Sequence, residues 1–345
     1  MSLKEEIFEQ PAVLGRLLET QKDAVFRMAE TIRESGVQSV FLAARGSSDN
    51  AGLYAKYLLG ATNRLPVALA APSLFTSYES PPRLTGQLVL GISQSGQSPD
   101  IVSVVAEGRR QGALTLAITN EPGSPLAREA ELVLNTLAGP ERAIAATKTY
   151  TTQLAAIALV SVALSDDPQR LEQLQRVSAL VEETLDLNER IEDAAQRYRY
   201  MNRCVVLGRG YNYATAYEWS LKLKELAYIV AEPYSSADFR HGPVAIVSHG
   251  FPVLAVAPTG AVFDDLAGLL AKLVADHQAE LLVLSNEPAA LGLAQTALKL
   301  PDDLPEWLSP LVSIVPAQLF CYHLTRVMGY DTETPRQLSK VTRTW

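Results

Sequence analysis

Cysteine is scarce in this chain, and the two that occur, Cys204 and Cys321, have no metal-ligand spacing. A disulfide framework and a thiolate metal site are thereby excluded, and both read as buried thiols of a reducing compartment. Basic residues are in deficit, 30 against 38 acidic ones, for a net charge of −8. That argues against an extended nucleic-acid surface, which needs a basic stripe. Long apolar runs are also missing. The longest apolar helical stretch, Leu154 to Leu164, falls short of the ~20 residues that cross a bilayer. The opening Met-Ser-Leu-Lys-Glu-Glu is too charged for a signal peptide. No metal cluster or nucleotide fingerprint occurs, since Gly208-Arg-Gly-Tyr-Asn-Tyr-Ala214 mimics a dinucleotide turn at only two positions. These absences imply a cytoplasmic protein without metal or cofactor, partnered by neither nucleic acid nor membrane.

What is present is enough for two domains: 345 residues, 48% apolar and 20% charged. Residues 1 to about 37 read as one or two amphipathic helices, with Pro11 as a break and Gly36 as a stop. Strands follow at Ser39 to Ala44, Val67 to Ala71, Leu88 to Ile92, Leu114 to Thr119 and Leu132 to Thr136, with helical segments between them. That alternation predicts a parallel sheet covered on both faces. A helix from about Tyr150 to Ser165 closes this lobe, and a polar helical bridge follows from Asp166. The pattern then restarts. Cys204-Val-Val-Leu-Gly-Arg-Gly210 repeats Val40-Phe-Leu-Ala-Ala-Arg-Gly46 with both Arg-Gly pairs in register, and further strands read at Val253 to Ala257 and Leu281 to Leu284. Two lobes of similar doubly wound fold, an internal duplication, are expected.

The stretch Leu88 to Asp100 organises the first lobe. A short apolar strand runs into Ser93-Gln-Ser-Gly96, and from Ser98-Pro-Asp100 a helix begins with proline in its first turn. Strand, turn and helix N-terminus together gather free N–H groups around one point, a ready site for phosphate. Ser93, Gln94, Ser95 and Ser98 add four short neutral donors. The competing reading is an ordinary turn whose serines only cap the helix. By the strand-end rule Gly46-Ser-Ser48 lies at the same edge and would grip the same anion. The second lobe has Ala257-Pro-Thr-Gly-Ala261 there instead, so one phosphate site per chain is expected.

Glu218, Lys222 and Glu225 fall on one face of a helix at i, i+4 and i+7, for which a solvated salt-bridge face is the default explanation. His241 sits in a polar, aromatic segment, Glu232 to Pro243, read as a loop. The tail from Glu333 ends in Trp345, an apolar terminus expected to dock.

Six motifs in order now resemble a known family: Gly46-Ser-Ser48, Ser93-Gln-Ser-Gly96, Ala145-Ala-Thr-Lys-Thr149, Leu221-Lys-Leu-Lys-Glu225, His241-Gly-Pro243 and Pro335-Arg-Gln-Leu-Ser-Lys340. Together they look like the paired sugar-isomerase (SIS) domains that form the isomerase half of glucosamine-6-phosphate synthase. The resemblance implies two flavodoxin-like, three-layer αβα domains with parallel sheets. They would occupy residues 35–170 and 201–328, after an N-terminal helical segment 1–34, with a helical bridge 171–200 and a C-terminal tail 329–345 that completes the active site.

The resemblance also implies roles. Gly46, Ser47, Ser48, Ser93, Gln94, Ser95 and Ser98 would hold a sugar phosphate. Glu225 would move a proton between C1 and C2 of the open-chain sugar, with Lys222 nearby. Lys340 would form an imine with the ketose carbonyl. His241 would open the sugar ring, reaching over from the neighbouring subunit of a homodimer. Two departures stand out. No cysteine occurs in the roughly 35 residues before the first strand, so these residues would not release ammonia from glutamine. Arg45 stands where the synthase has a small residue, which leaves its role open. The expected activity is therefore isomerisation with deamination: glucosamine 6-phosphate to fructose 6-phosphate and ammonia. The alternatives are a fructosamine-6-phosphate deglycase, a chain that merely shares the transaminase's isomerase half, and a non-catalytic sugar-phosphate sensor.

Overall fold

The computed structural model describes residues 2–340; the docking expected of Trp345 lies outside them. The chain divides into two compact units that interleave in sequence. The first unit holds Glu9–Arg142, Ala146–Arg176 and, at the end of the described chain, Ser339 and Lys340. The second holds residues 2–8, Ala143–Ala145 and Val177–Leu338.

In the first unit five parallel strands, β1 (Ser39–Ala43), β2 (Val67–Leu69), β3 (Gln87–Ile92), β4 (Leu114–Thr119) and β5 (Leu132–Asn135), lie in the order β2-β1-β3-β4-β5. β3 is central, with Leu88 against Val40 of β1 and against Leu114 of β4. Its side chains go to both layers, as a strand's alternation requires. Val89 packs with Ile101, Val104 and Val105 of the helix Pro99–Arg110. Leu88 and Leu90 line the opposite face with Leu59, Ile157 and Val160. This is why the strand reads as a continuous apolar run and not as an alternating one. On that face the helix Lys148–Ser165 is buried almost throughout. Gln10–Glu34 packs beside it, with Pro11 in its first turn and Gly36 just past its end, as expected.

The second unit repeats the plan. β6 (Arg203–Gly208), β7 (Val230–Ser235), β8 (Pro252–Val256), β9 (Glu280–Ser285) and β10 (Thr296–Lys299) are parallel in the order β10-β9-β8-β6-β7. Counted within each unit this is the same 2-1-3-4-5 winding, so the fold is two doubly wound αβα layers, as the sequence implied. One face packs Val205, Val253 and Val283 on Leu266, Leu270 and Leu273 of the helix Phe263–His277. On the helix Ser309–Val327, Phe320 meets Trp219 and Tyr198 edge-on.

Three readings need correction. The segment Glu232 to Pro243 is not one loop: Glu232 to Ser235 belongs to β7, and Ser236–Arg240 is helical. β7 and β10 escaped notice because they are the sheet's edges, where polar residues and Pro233 are tolerated. Leu154 to Leu164 is also not the longest apolar stretch. Glu306–Val327 is long and apolar enough to cross a membrane by composition alone, yet 94% of its apolar window is buried inside the protein. It is apolar because it is a core helix.

Candidate active site

Strand order reverses between β1 and β3, so the crevice of the first unit opens beyond their carboxyl ends. The turn after β1 passes through Gly46 at φ +56 and enters the helix Ser47–Asn63 with no side chain capping it. The turn after β3 is curled by its own serines: the Ser93 hydroxyl accepts the Gly96 N–H at 3.1 Å, and that of Ser95 accepts the Gln97 N–H at 3.3 Å. Ser98 is the N-cap of Pro99–Arg110, yet its side chain makes no capping bond. The reading in which these serines merely cap the helix is therefore not what the geometry shows. Gly96 has φ +59, and a Cβ there would lie 2.1 Å from Oγ of Ser124, so the turn closes only around glycine.

A cavity of about 450 Å³ opens beside this turn, lined by Gln94, Ser95, Gln97, Glu121, Gly123, Ser124 and Lys340. The structure thus brings Lys340 to the serine turn. Gly46, Ser47, Ser48, Ser93 and Ser98 are not on that cavity's wall. Lys340 donates to Glu141 at 2.6 Å. Glu141 is fully buried and also accepts from the N–H groups of Thr147 and Thr149, each at 3.0 Å, and from the Thr149 hydroxyl at 2.7 Å. Burial, the largest single influence, pushes its carboxyl up, but Lys340 and the two amides outweigh it and hold the group below the usual carboxylate range. Sequence reasoning missed Glu141. The available signal was an acid just before a long apolar helix.

In the second unit the helix Tyr213–Ala227 carries Glu218, Lys222 and Glu225. They are no solvated face. Glu218 and Lys222 are buried, Glu225 is about a quarter exposed, and Lys222 bridges Glu218 at 3.4 Å and Glu225 more closely. His241 follows the short helix Ser236–Arg240 and is exposed; its N–H donates to the Asp238 carbonyl at 3.0 Å. At the second switch point the turn after β8 is occupied by the protein itself. The Ala261 N–H donates to Glu306 at 3.0 Å, and a Cβ on Gly260 would fall 2.2 Å from the Glu306 carboxyl carbon. Among the described residues no group of His, Cys, Asp and Glu is placed to hold a metal ion.

Residues 34–163 and 198–328 each match the SIS domain family. The chain belongs to that family. Its two SIS repeats coincide with the two sheets described above. A SIS relative, the isomerising glutamine–fructose-6-phosphate aminotransferase of Thermus thermophilus, is 36% identical over 350 residues, covering 97% of this chain and 57% of that protein. The chain thus spans little more than half the length of the curated relatives it matches. The C-terminal domain of glucosamine-fructose-6-phosphate aminotransferase from Francisella tularensis matches with a TM-score of 0.85 at 28% identity, covering 96% of this chain and 98% of that one. Glucosamine-6-phosphate deaminase from Thermotoga maritima shares the fold, with a TM-score of 0.81 at 21% identity over the full length of both chains.

Proposed function

We propose that this SIS protein is an amino-sugar-phosphate isomerase and deaminase. It converts glucosamine 6-phosphate and water to fructose 6-phosphate and ammonia, and runs backwards at high ammonia. The observation that carries this reading is Lys340, an amine on the wall of the cavity that Gln94 and Ser95 of the serine turn also line. Two residues of an anion grip and an amine on one cavity suit a ketose phosphate, the rest of the grip lying on the turns after β1 and β3. The grip comprises Gly46, Ser47, Ser48, Ser93, Gln94, Ser95 and Ser98, and there is one such site per chain. Anchoring the phosphate away from the reacting carbons fixes orientation, which itself lowers the barrier.

In this reading His241, supplied across a homodimer interface, opens the ring. Glu225 moves the proton between C2 and C1, a step for which a placed base contributes ~10²–10⁴-fold. Lys222 steadies that carboxylate. Lys340 attacks C2 of the ketimine that this proton transfer leaves, displaces its nitrogen as ammonia, and water then releases fructose 6-phosphate from the lysine. Both cysteines are buried and burial raises both thiols, so neither is a nucleophile for glutamine. The names of the relatives, which join isomerisation to fructose 6-phosphate, support the same substrate class.

Incubation of purified protein with glucosamine 6-phosphate should release ammonia and fructose 6-phosphate in equal amounts. Tight binding without turnover would make the protein a sensor. Turnover of a lysine fructosamine 6-phosphate in place of the amino sugar would make it a deglycase.

A further inference from the structure

Lys340 stands a quarter exposed at the cavity, while the carboxylate that holds it, Glu141, is wholly inside. Every described donor to Glu141 other than Lys340 comes from the start of the helix Lys148–Ser165: two N–H groups and one hydroxyl, of Thr147 and Thr149. The next cation along that segment, Lys148, pairs with Glu9 instead. One oxygen of Glu141 is therefore taken by the helix start, and the other is shared between the Thr149 hydroxyl and the lysine. A buried carboxylate in this position is stable only while a cation faces it. Among the described residues, the carboxylates facing Lys340 include Glu141, which bonds it, and Glu121, which lines the same cavity.

We propose that Glu141 is a positioning residue for the covalent step: its buried carboxylate seats Lys340 at the cavity and keeps one positive charge on that nitrogen before and after the imine forms. The proposal rests on the reading of Lys340 as the imine former. An ammonium and a ketose carbonyl become a protonated imine and one water. The C=O bond gives way to a C=N bond, two of the three N–H protons leave with the carbonyl oxygen, and the charge on nitrogen stays at +1. Glu141 thus faces a cation at both ends of the step and is not left as a buried unpaired anion. The helix start in turn fixes where the nitrogen sits, without which a long lysine side chain would sample many rotamers.

Borohydride trapping of the imine with fructose 6-phosphate, followed across pH with the full chain, tests this. Glu141→Gln should cut the maximal trapping rate at least tenfold and move the whole profile to lower pH, because the positive nitrogen has lost its partner. Phosphosugar affinity should change less than threefold. An unshifted profile with lowered thermal stability would make Glu141 merely structural and overturn the proposal. Lys340→Ala, run in parallel, separates this outcome from failure of the underlying reading. If that variant still traps, Lys340 is not the imine former; if it does not trap while Glu141→Gln behaves as wild type, only the role of Glu141 fails. Should the Gln variant not fold, pulse-acetylation of the unmodified protein decides. Lys340 should label at least tenfold more slowly than exposed Lys272 at neutral pH, and equal rates would refute the seat.

Discussion

Arg45 reaches across the switch point of the first sheet to Asp100, Nε to Oδ2 at 2.8 Å. The arginine stands in the turn after β1, and the aspartate in the first turn of the helix after β3. The bond therefore ties together the two turns proposed to grip phosphate. The second unit has the same device, because Arg209 after β6 pairs with Asp265 in the first turn of the helix after β8. That turn carries no serine cluster and is filled by Glu306. A pair kept in both repeats, with and without a serine turn, braces the two turns of each switch point.

The brace has a measurable cost of removal. Asp100 is fully buried and Arg45 half exposed, so Arg45→Met leaves a buried carboxylate short of its partner. The variant should lose about 1–3 kcal/mol of stability, less than a fully buried pair would, because water can reach the arginine's side. Urea unfolding measures it. An unchanged midpoint would show that Asp100 finds enough compensation elsewhere.

Gly96 tests the serine turn directly. Gly96→Ala would put a methyl group into Ser124 at a backbone conformation that disfavours it. The expected loss is about 2–4 kcal/mol, with phosphosugar affinity weakened at least tenfold by calorimetry. Affinity retained in a destabilised variant would place the phosphate elsewhere.

The sequence shows the interior of this fold better than its margins. β3 and β8 are legible because both of their faces are buried, which leaves uninterrupted apolar runs. β7 hides because an edge strand may carry Glu232 and Pro233. The same limit affects the site. Ser93 to Ser98 announce themselves by clustering, whereas Glu141 meets Lys340 across 199 residues of chain, and no local pattern encodes such a meeting. Glu218, Lys222 and Glu225 were visible as a row, but their burial was not, since a charged stripe at helical spacing reads the same whether water or protein covers it.

His323 gives a pH prediction for the second unit. It is buried, with Nε2 2.9 Å from Oδ1 of Asn188. Burial, chiefly, holds the imidazole below its ordinary value; Glu192 opposes this, and Lys4 and Arg326 add to it. The unfolded chain therefore takes up a proton near pH 6.5, and the folded one only below that. The contribution to stability is complete above the unfolded value and is lost as pH falls towards the folded one. His323→Gln, which keeps an N–H for Asn188, should be less destabilised at pH 5.5 relative to pH 7.5 than the unmodified protein. Equal pH slopes in urea titrations would exclude the histidine as the source.

The buried charges on Tyr213–Ala227 allow stability and catalysis to be separated. Lys222 is the cation between two carboxylates, one of them fully buried. Lys222→Met leaves Glu218 and Glu225 facing each other without it, and should cost about 3–5 kcal/mol. Glu225→Gln instead removes one carboxylate while Lys222 keeps Glu218, so the fold should hold within about 1 kcal/mol. If Glu225 is the base, that variant should lose ~10²–10⁴-fold in turnover and stop exchanging the sugar's C1 or C2 hydrogen with deuterated water, while phosphosugar binding stays nearly unchanged. Exchange that survives in Glu225→Gln would assign the proton transfer to another group. Equal loss of exchange and of binding would mean that the carboxylate shapes the pocket without acting on the carbon.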